Sequence, residues 1–149
     1  MNRAEEIRSL NALSADKLPS AAGGRLLVLE NLEEIHRHFA RSIADVVCRN
    51  NRAGCRTVLI LPYGPTGQYP LLRDMINEEG ISLADASFFF MDEYCDDSGR
   101  VLDASHPLSF RGSLQWFWDS LDPDLRPAAP GTFQREDGDH ECYPLSSGR

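Results

Sequence analysis

The sequence predicts an α/β domain in which a mainly parallel sheet is covered on both faces by helices, a three-layer α/β/α arrangement. Three observations predict it. Short, continuously apolar runs recur at residues 26–29 (LLVL), 57–61 (TVLIL) and 86–91 (ASFFFM), as expected of strands buried on both faces. Segments with helical apolar spacing alternate with these runs. The chemically suggestive residues follow the second and third runs directly, and ligands of open parallel sheets bind beyond the carboxyl ends of the strands.

Taken in order, residues 2–13 place Ile7, Leu10 and Leu13 at helical spacing. A polar, Gly-containing connector follows to Gly24. After the first expected strand, Asn31 is placed to cap a helix, with Glu34 three residues on in a capping-box arrangement. Ile35, Phe39, Ile43 and Val46 are its expected core face, and NNRAG, ending at Gly54, stops it. The second strand runs into PYGPTGQYP. Pro70 then falls in the first turn of a helix whose core face is Leu72, Met75 and Ile76, ended by Gly80. The third strand delivers Asp92, Glu93 and Tyr94. A final helix is expected to present Phe110, Leu114, Phe117 and Leu121 to the core. Val28, Leu59, Ile60, Phe88 and Phe90 are the expected buried strand positions. Residues 1–24 read as a helix and connector, 25–127 as the folded domain, and 128–149, which lack any period, as a poorly ordered tail.

Composition narrows the function. The formal net charge is -8, and the arginines are scattered rather than clustered, so nucleic acid is not an expected partner. No run approaches the roughly 20 apolar residues of a membrane span, and the N-terminus lacks an apolar signal core, so the cytoplasm is the expected compartment. Cys48, Cys55, Cys95 and Cys142 form no C-x-x-C pair and read as free thiols. His140 and Cys142 lack a second ligand pair for zinc, and the spacing of Asp92, Asp96 and Asp97 does not fit a calcium loop. No metal and no cofactor are expected.

Two segments carry the candidate chemistry. Gly64, Pro65, Thr66 and Gly67 lie between a strand end and a helix start, where backbone N–H groups and the helix dipole favour an anion. The loop is neither a P-loop nor a dinucleotide fingerprint, since both patterns are absent. Its blander reading is a βα turn rich in Gly and Pro. Asp92, at a strand end behind three phenylalanines, is placed to act as a general base; its blander reading is a solvated acidic turn. Ser109 is placed to cap the last helix. His36 and His38, two apart, do not share a helix face, and Trp116 and Trp118 point in different directions.

In order and spacing, LPYGPTG at 61–67, FFFMDEY at 88–94, HPLSF at 106–110 and the WFWDSLDP stretch from Trp116 resemble the glucosamine-6-phosphate deaminase/isomerase family over residues 25–127. The resemblance implies a Rossmann-like fold shared with phosphosugar isomerases and lactonases. It implies that Gly64, Pro65 and Thr66 belong to the phosphosugar-binding loop. It implies that Asp92 moves a proton between C1 and C2 of the open-chain amino sugar, giving fructose 6-phosphate and ammonia. Tyr63 stands where the family has threonine, and the 95–105 loop is longer than usual. The family's second half, which bears the ring-opening Asp–His–Glu group and further phosphate-binding Arg and Lys residues, has no counterpart in 128–149, so the domain is expected to be incomplete. The expected partners are a small sugar phosphate and, in a homo-oligomer, further copies of the chain. The other readings are a 6-phosphogluconolactonase-like hydrolase, in which Arg is usual at the position of Tyr94, and a non-catalytic phosphosugar-binding remnant.

Overall fold

In the computed structural model, which describes residues 2–127 and the backbone of residues 142–144, the chain divides into two units, Met1–Glu34 and Ile35–Arg149. In the first unit, α1 (Arg3–Asn11) starts at a full capping box. The Asn2 side chain accepts from the Glu5 N–H at 3.0 Å, and the Glu5 carboxylate accepts from the Asn2 N–H at 3.0 Å. A 3₁₀ turn at Ala15–Lys17 leads into α2 (Leu18–Ala21). Residues 26–29, the expected first strand, are not a strand. Among the described residues they pair with no strand, and Leu26, Leu27 and Val28 are exposed, Val28 at 62%. Apolar composition marks a segment able to fill a sheet, but a strand exists only where a neighbour completes its hydrogen-bond ladder. The expected burial of Val28 is therefore wrong.

The second unit is a mixed α/β fold built on a two-stranded parallel sheet. β1 (Thr57–Leu61) pairs with β2 (Ala86–Phe90) in the register Thr57–Ala86, Leu59–Phe88 and Leu61–Phe90. Parallel pairing requires a crossover, which α4 (Gln68–Glu79) supplies. Gly80 ends α4 in the left-handed region at φ 63°, a conformation that glycine adopts without steric penalty. The preceding long helix, α3 (Leu32–Arg52), is positioned by Asn31, whose side chain accepts from the Glu34 N–H at 2.9 Å. Glu34 reaches back to the N–H of Glu30 rather than that of Asn31, so the expected capping box closes one residue upstream.

One cluster forms the core. It joins Ala40, Ile43, Ala44 and Val47 of α3, Tyr69, Leu72 and Ile76 of α4, and Leu61, Ala86 and Phe88 of the sheet with Leu114, Phe117, Trp118 and Leu121. The face α3 buries is rotated from the expected one: Ile35 is 43% exposed, while the small residues Ala40 and Ala44 are fully buried. Counting only large side chains misplaces a helix face when alanines let it approach its neighbour closely.

Among the described residues, the helices pack against one face of the sheet. Thr57, Leu59, Leu61, Ala86, Phe88 and Phe90 face the helices, whereas Val58 and Ile60 are 60% and 66% exposed. Ile60 was expected inside. A continuously apolar strand is compatible with burial on both faces, but here Val58 and Ile60 lie open while Thr57, Leu59 and Leu61 meet the helices.

The expected last helix is two short ones, α5 (Phe110–Ser113) and α6 (Gln115–Asp119), broken at Leu114 with φ -100°. Leu114, Phe117 and Leu121 are nevertheless buried as expected, as is Trp118, which meets Phe88 edge-on at 5.0 Å, while Trp116 is exposed. Asn77 of α4 holds the following segment by donating to the Ser120 carbonyl and accepting from the Asp122 N–H. On the outside, the Arg41 guanidinium pairs with both oxygens of the Glu79 carboxylate, tying α3 to α4.

Two short strands complete the described structure, β3 (Glu93–Cys95) and β4 (Cys142–Pro144), paired in parallel. The rest of the expected tail, His140 included, lies outside the described residues. Among the described residues no helix is long and apolar enough to cross a membrane.

Candidate functional site

The three motifs singled out in the sequence meet at the carboxyl end of the sheet. The Met91 N–H donates to the Leu61 carbonyl at 2.9 Å, carrying the β1–β2 pairing to the strand ends. Past that point the chain leaves β1 into the 62–67 loop and leaves β2 into Asp92 and Glu93. Tyr63 of the loop stacks on Phe110 of α5, with centroids 4.3 Å apart and rings 4° from parallel. Tyr94 meets the same ring edge-on at 5.1 Å. Phe110 is thus held between residues from the loop and from β3.

Glu93 fixes this junction. Its carboxylate accepts from the N–H groups of Phe110 and Arg111 at 2.9 Å each and from the Ser109 hydroxyl at 3.2 Å, and also from the Tyr94 N–H at 2.9 Å. The first N–H groups of a helix have no partner within it, and a carboxylate there is favoured by charge as well as by hydrogen bonding. Ser109, fully buried, caps the same helix as expected by accepting from the Gly112 N–H at 3.1 Å. One residue earlier, Asp92 is half-buried and, among the described residues, makes no hydrogen bond or ion pair. Of the two adjacent carboxylates, Glu93 is committed to structural hydrogen bonds and Asp92 is not.

The loop is anchored from below. Tyr69, 2% exposed, donates its hydroxyl to the Pro62 carbonyl at 2.9 Å and meets Phe117 edge-on. Burial pushes its phenol up to about 12, against a smaller opposing effect of the Gln68 hydrogen bond. Because the folded value lies above the ordinary 10, this contribution to stability is complete below pH 10 and is lost as pH rises from 10 to about 12. The rise corresponds to roughly 2–3 kcal/mol. Tyr69→Phe is therefore expected to flatten the fall in unfolding free energy between pH 10 and 12 in urea titrations. Equal slopes for parent and variant would contradict the assignment.

Gly64, Pro65 and Thr66 are exposed, with the Gly64–Pro65 peptide cis. The Thr66 carbonyl accepts from the Tyr69 N–H at 3.1 Å. Among the described residues no backbone acceptor takes the N–H of Gly67 or Gln68, so both remain free at the start of α4. Gly67 lies against the His36 imidazole: a Cβ added there would fall 2.2 Å from the ring. Sequence reasoning missed Tyr69, Gln68, His36 and the role of Glu93. Tyr69 was detectable, since 69, 72 and 76 continue the α4 stripe upstream at i, i+3 and i+7. Glu93 and His36 act on residues distant in sequence, and no local pattern marks them.

The remaining candidates have local roles. His106 accepts the Leu108 N–H through Nδ1 at 3.2 Å. In the long 95–105 loop, Asp96 and Asp103 act as turn acceptors. Asp96 is held below the usual carboxylate range first by the Ser98 hydroxyl, and Asp103 first by the Ser105 N–H. Among the described residues no three His, Cys, Asp or Glu side chains are grouped to hold a metal ion. Comparison of the chain with family models, with curated proteins and with solved structures finds no match in any of the three.

Proposed function

We propose that the second unit is a sugar-phosphate-handling domain of the glucosamine-6-phosphate deaminase/isomerase type, acting in amino-sugar metabolism in the cytoplasm without a cofactor. One observation carries this reading: the loop, the Asp-Glu-Tyr segment and the His-Pro-Leu-Ser-Phe segment, on which the resemblance rests, converge at the carboxyl end of one parallel sheet. The Tyr63–Phe110 stack and the Glu93 hydrogen bonds supply the contacts.

In this reading the free N–H groups of Gly67 and Gln68, with Gly64, Pro65 and Thr66, hold the phosphate. The α4 dipole adds a partial positive charge where the overall charge of the chain is unfavourable. Asp92 takes the C2 proton of the open-chain imine or aldehyde and returns it to C1, while the nitrogen leaves as ammonia after hydrolysis. A fixed phosphate handle and a nearby carboxylate are what proton abstraction beside a carbonyl requires. Ring opening falls to residues outside 25–127. The exposed, apolar sheet face at Val58 and Ile60 supports a further layer there, which makes the three-layer Rossmann-like arrangement part of the same proposal.

The test uses the purified chain. Inorganic phosphate is expected to shift the amide resonances of residues 64–67 before any others, with weak affinity. Ammonia release from glucosamine 6-phosphate is expected near the buffer rate, because a base alone supplies about 10²–10⁴-fold. Shifts confined to distant residues would defeat the phosphate site. Robust turnover would defeat the assignment of ring opening to residues outside 25–127.

A further inference from the structure

Three buried polar side-chain atoms have no partner among the described residues: His36 Nε2, Gln68 Oε1 and Arg111 Nε. Two of them sit at the N-terminus of α4. Gln68 is its first residue and only 1% exposed. His36 projects from α3 so that its ring covers the Cα of Gly67, at the spot a Cβ would occupy. Leaving a buried polar group unpaired is costly, so such a group calls for a partner that the described residues do not provide.

We infer that His36 is a further ligand of the anion bound at the start of α4, an inference that rests on the proposed phosphate loop. The ring Nε2–H, neutral or charged, donates to a phosphate oxygen, alongside the free N–H groups of Gly67 and Gln68. Nothing larger than glycine at 67 leaves room for the imidazole. Gln68 supplies the complementary feature, an unfilled acceptor for a hydroxyl. Together they specify a phosphate monoester with a nearby hydroxyl rather than a simple anion. His36 also supplies from α3 one of the donors that the scattered arginines do not.

The experiment is a titration of the full chain with inorganic phosphate, followed by the amide resonances of Gly67 and Gln68 and the ring resonances of His36. In the parent, ring and amides are expected to move together with one affinity. His36→Ala is expected to weaken that affinity about tenfold, as for the loss of one charge-assisted hydrogen bond, and His36→Gln, which keeps an N–H donor, to recover part of it. Amide shifts at unchanged affinity in both variants, with a still ring in the parent, would overturn the role of His36 and leave the loop site standing. No movement of the loop amides in the parent would overturn the loop site and the inference with it. The ring resonance in the parent decides the matter even if a variant folds poorly.

Discussion

Asp92→Asn is expected to remove the exchange of solvent deuterium into C1 of fructose 6-phosphate while leaving the fold and the phosphate affinity unchanged. Exchange at C1, followed with ammonia present so that the C2 imine can form from the open-chain ketone, reports the proton-shift half of the proposed reaction. Asp92 lies just past the end of β2, as the loop proposed to hold the phosphate lies just past that of β1. A positioned base contributes about 10²–10⁴-fold, and the amide of asparagine cannot take the proton. The loss should therefore be about 10²-fold or more, down to the buffer rate. Stability should stay within about 0.5 kcal/mol, the usual range for a residue with no structural partner. Parent-like exchange by the variant would remove Asp92 from the mechanism. Absence of exchange in the parent would count against the proposed function itself.

Glu93→Ala is expected to do the reverse. Its carboxylate satisfies three backbone N–H groups and the Ser109 hydroxyl, and it joins β3 to the start of α5. Hydrogen bonds to a charged group contribute about 1.5–3 kcal/mol each. Because Glu93 is only half-buried, water replaces some of them, and a total of roughly 3 kcal/mol is expected. That is a large share of the roughly 5–15 kcal/mol that holds a typical domain together. The midpoint of urea unfolding should fall sharply. Glu93→Gln, which keeps one acceptor oxygen but turns an amide N–H toward another donor, should lie between. A midpoint for Glu93→Ala equal to that of the parent would show that the junction is held by the aromatic stack alone. The paired results give adjacent carboxylates opposite signatures, one in chemistry and one in stability.

What the sequence made legible is what depends on local spacing. The strands at 57–61 and 86–91 and the helix starting near Pro70 and ending at Gly80 follow from apolar runs and from glycine and proline chemistry, and all are present. So are the Ser109 cap and the inward Phe117. The failures share a cause. Residues 26–29 have the composition of a strand but, among the described residues, no neighbour to pair with. Ile60 looks like an interior residue, but whether a layer covers it is a property of other segments. Leu114 breaks a helix whose apolar spacing continues across the break. At the candidate site, Asp92 and the 64–67 loop were visible because strand ends concentrate such residues. His36 and Glu93 were not, because their roles exist only once α3 reaches α4 and α5 reaches β3.

The open residues of β1 have a colloidal consequence. β1 and β2 are each an edge among the described residues, and Val58 and Ile60 stand beside the β1 edge in the open. Such an edge is a template on which an extended segment of another molecule can add. What opposes this is charge: copies carrying a formal net charge of -8 repel one another before their edges meet. The repulsion reaches only about 10 Å at 0.1 M salt and shrinks as salt rises. The acidic residues scattered over this chain, which work against a phosphate ligand at long range, thereby keep its least protected surface apart from its own kind.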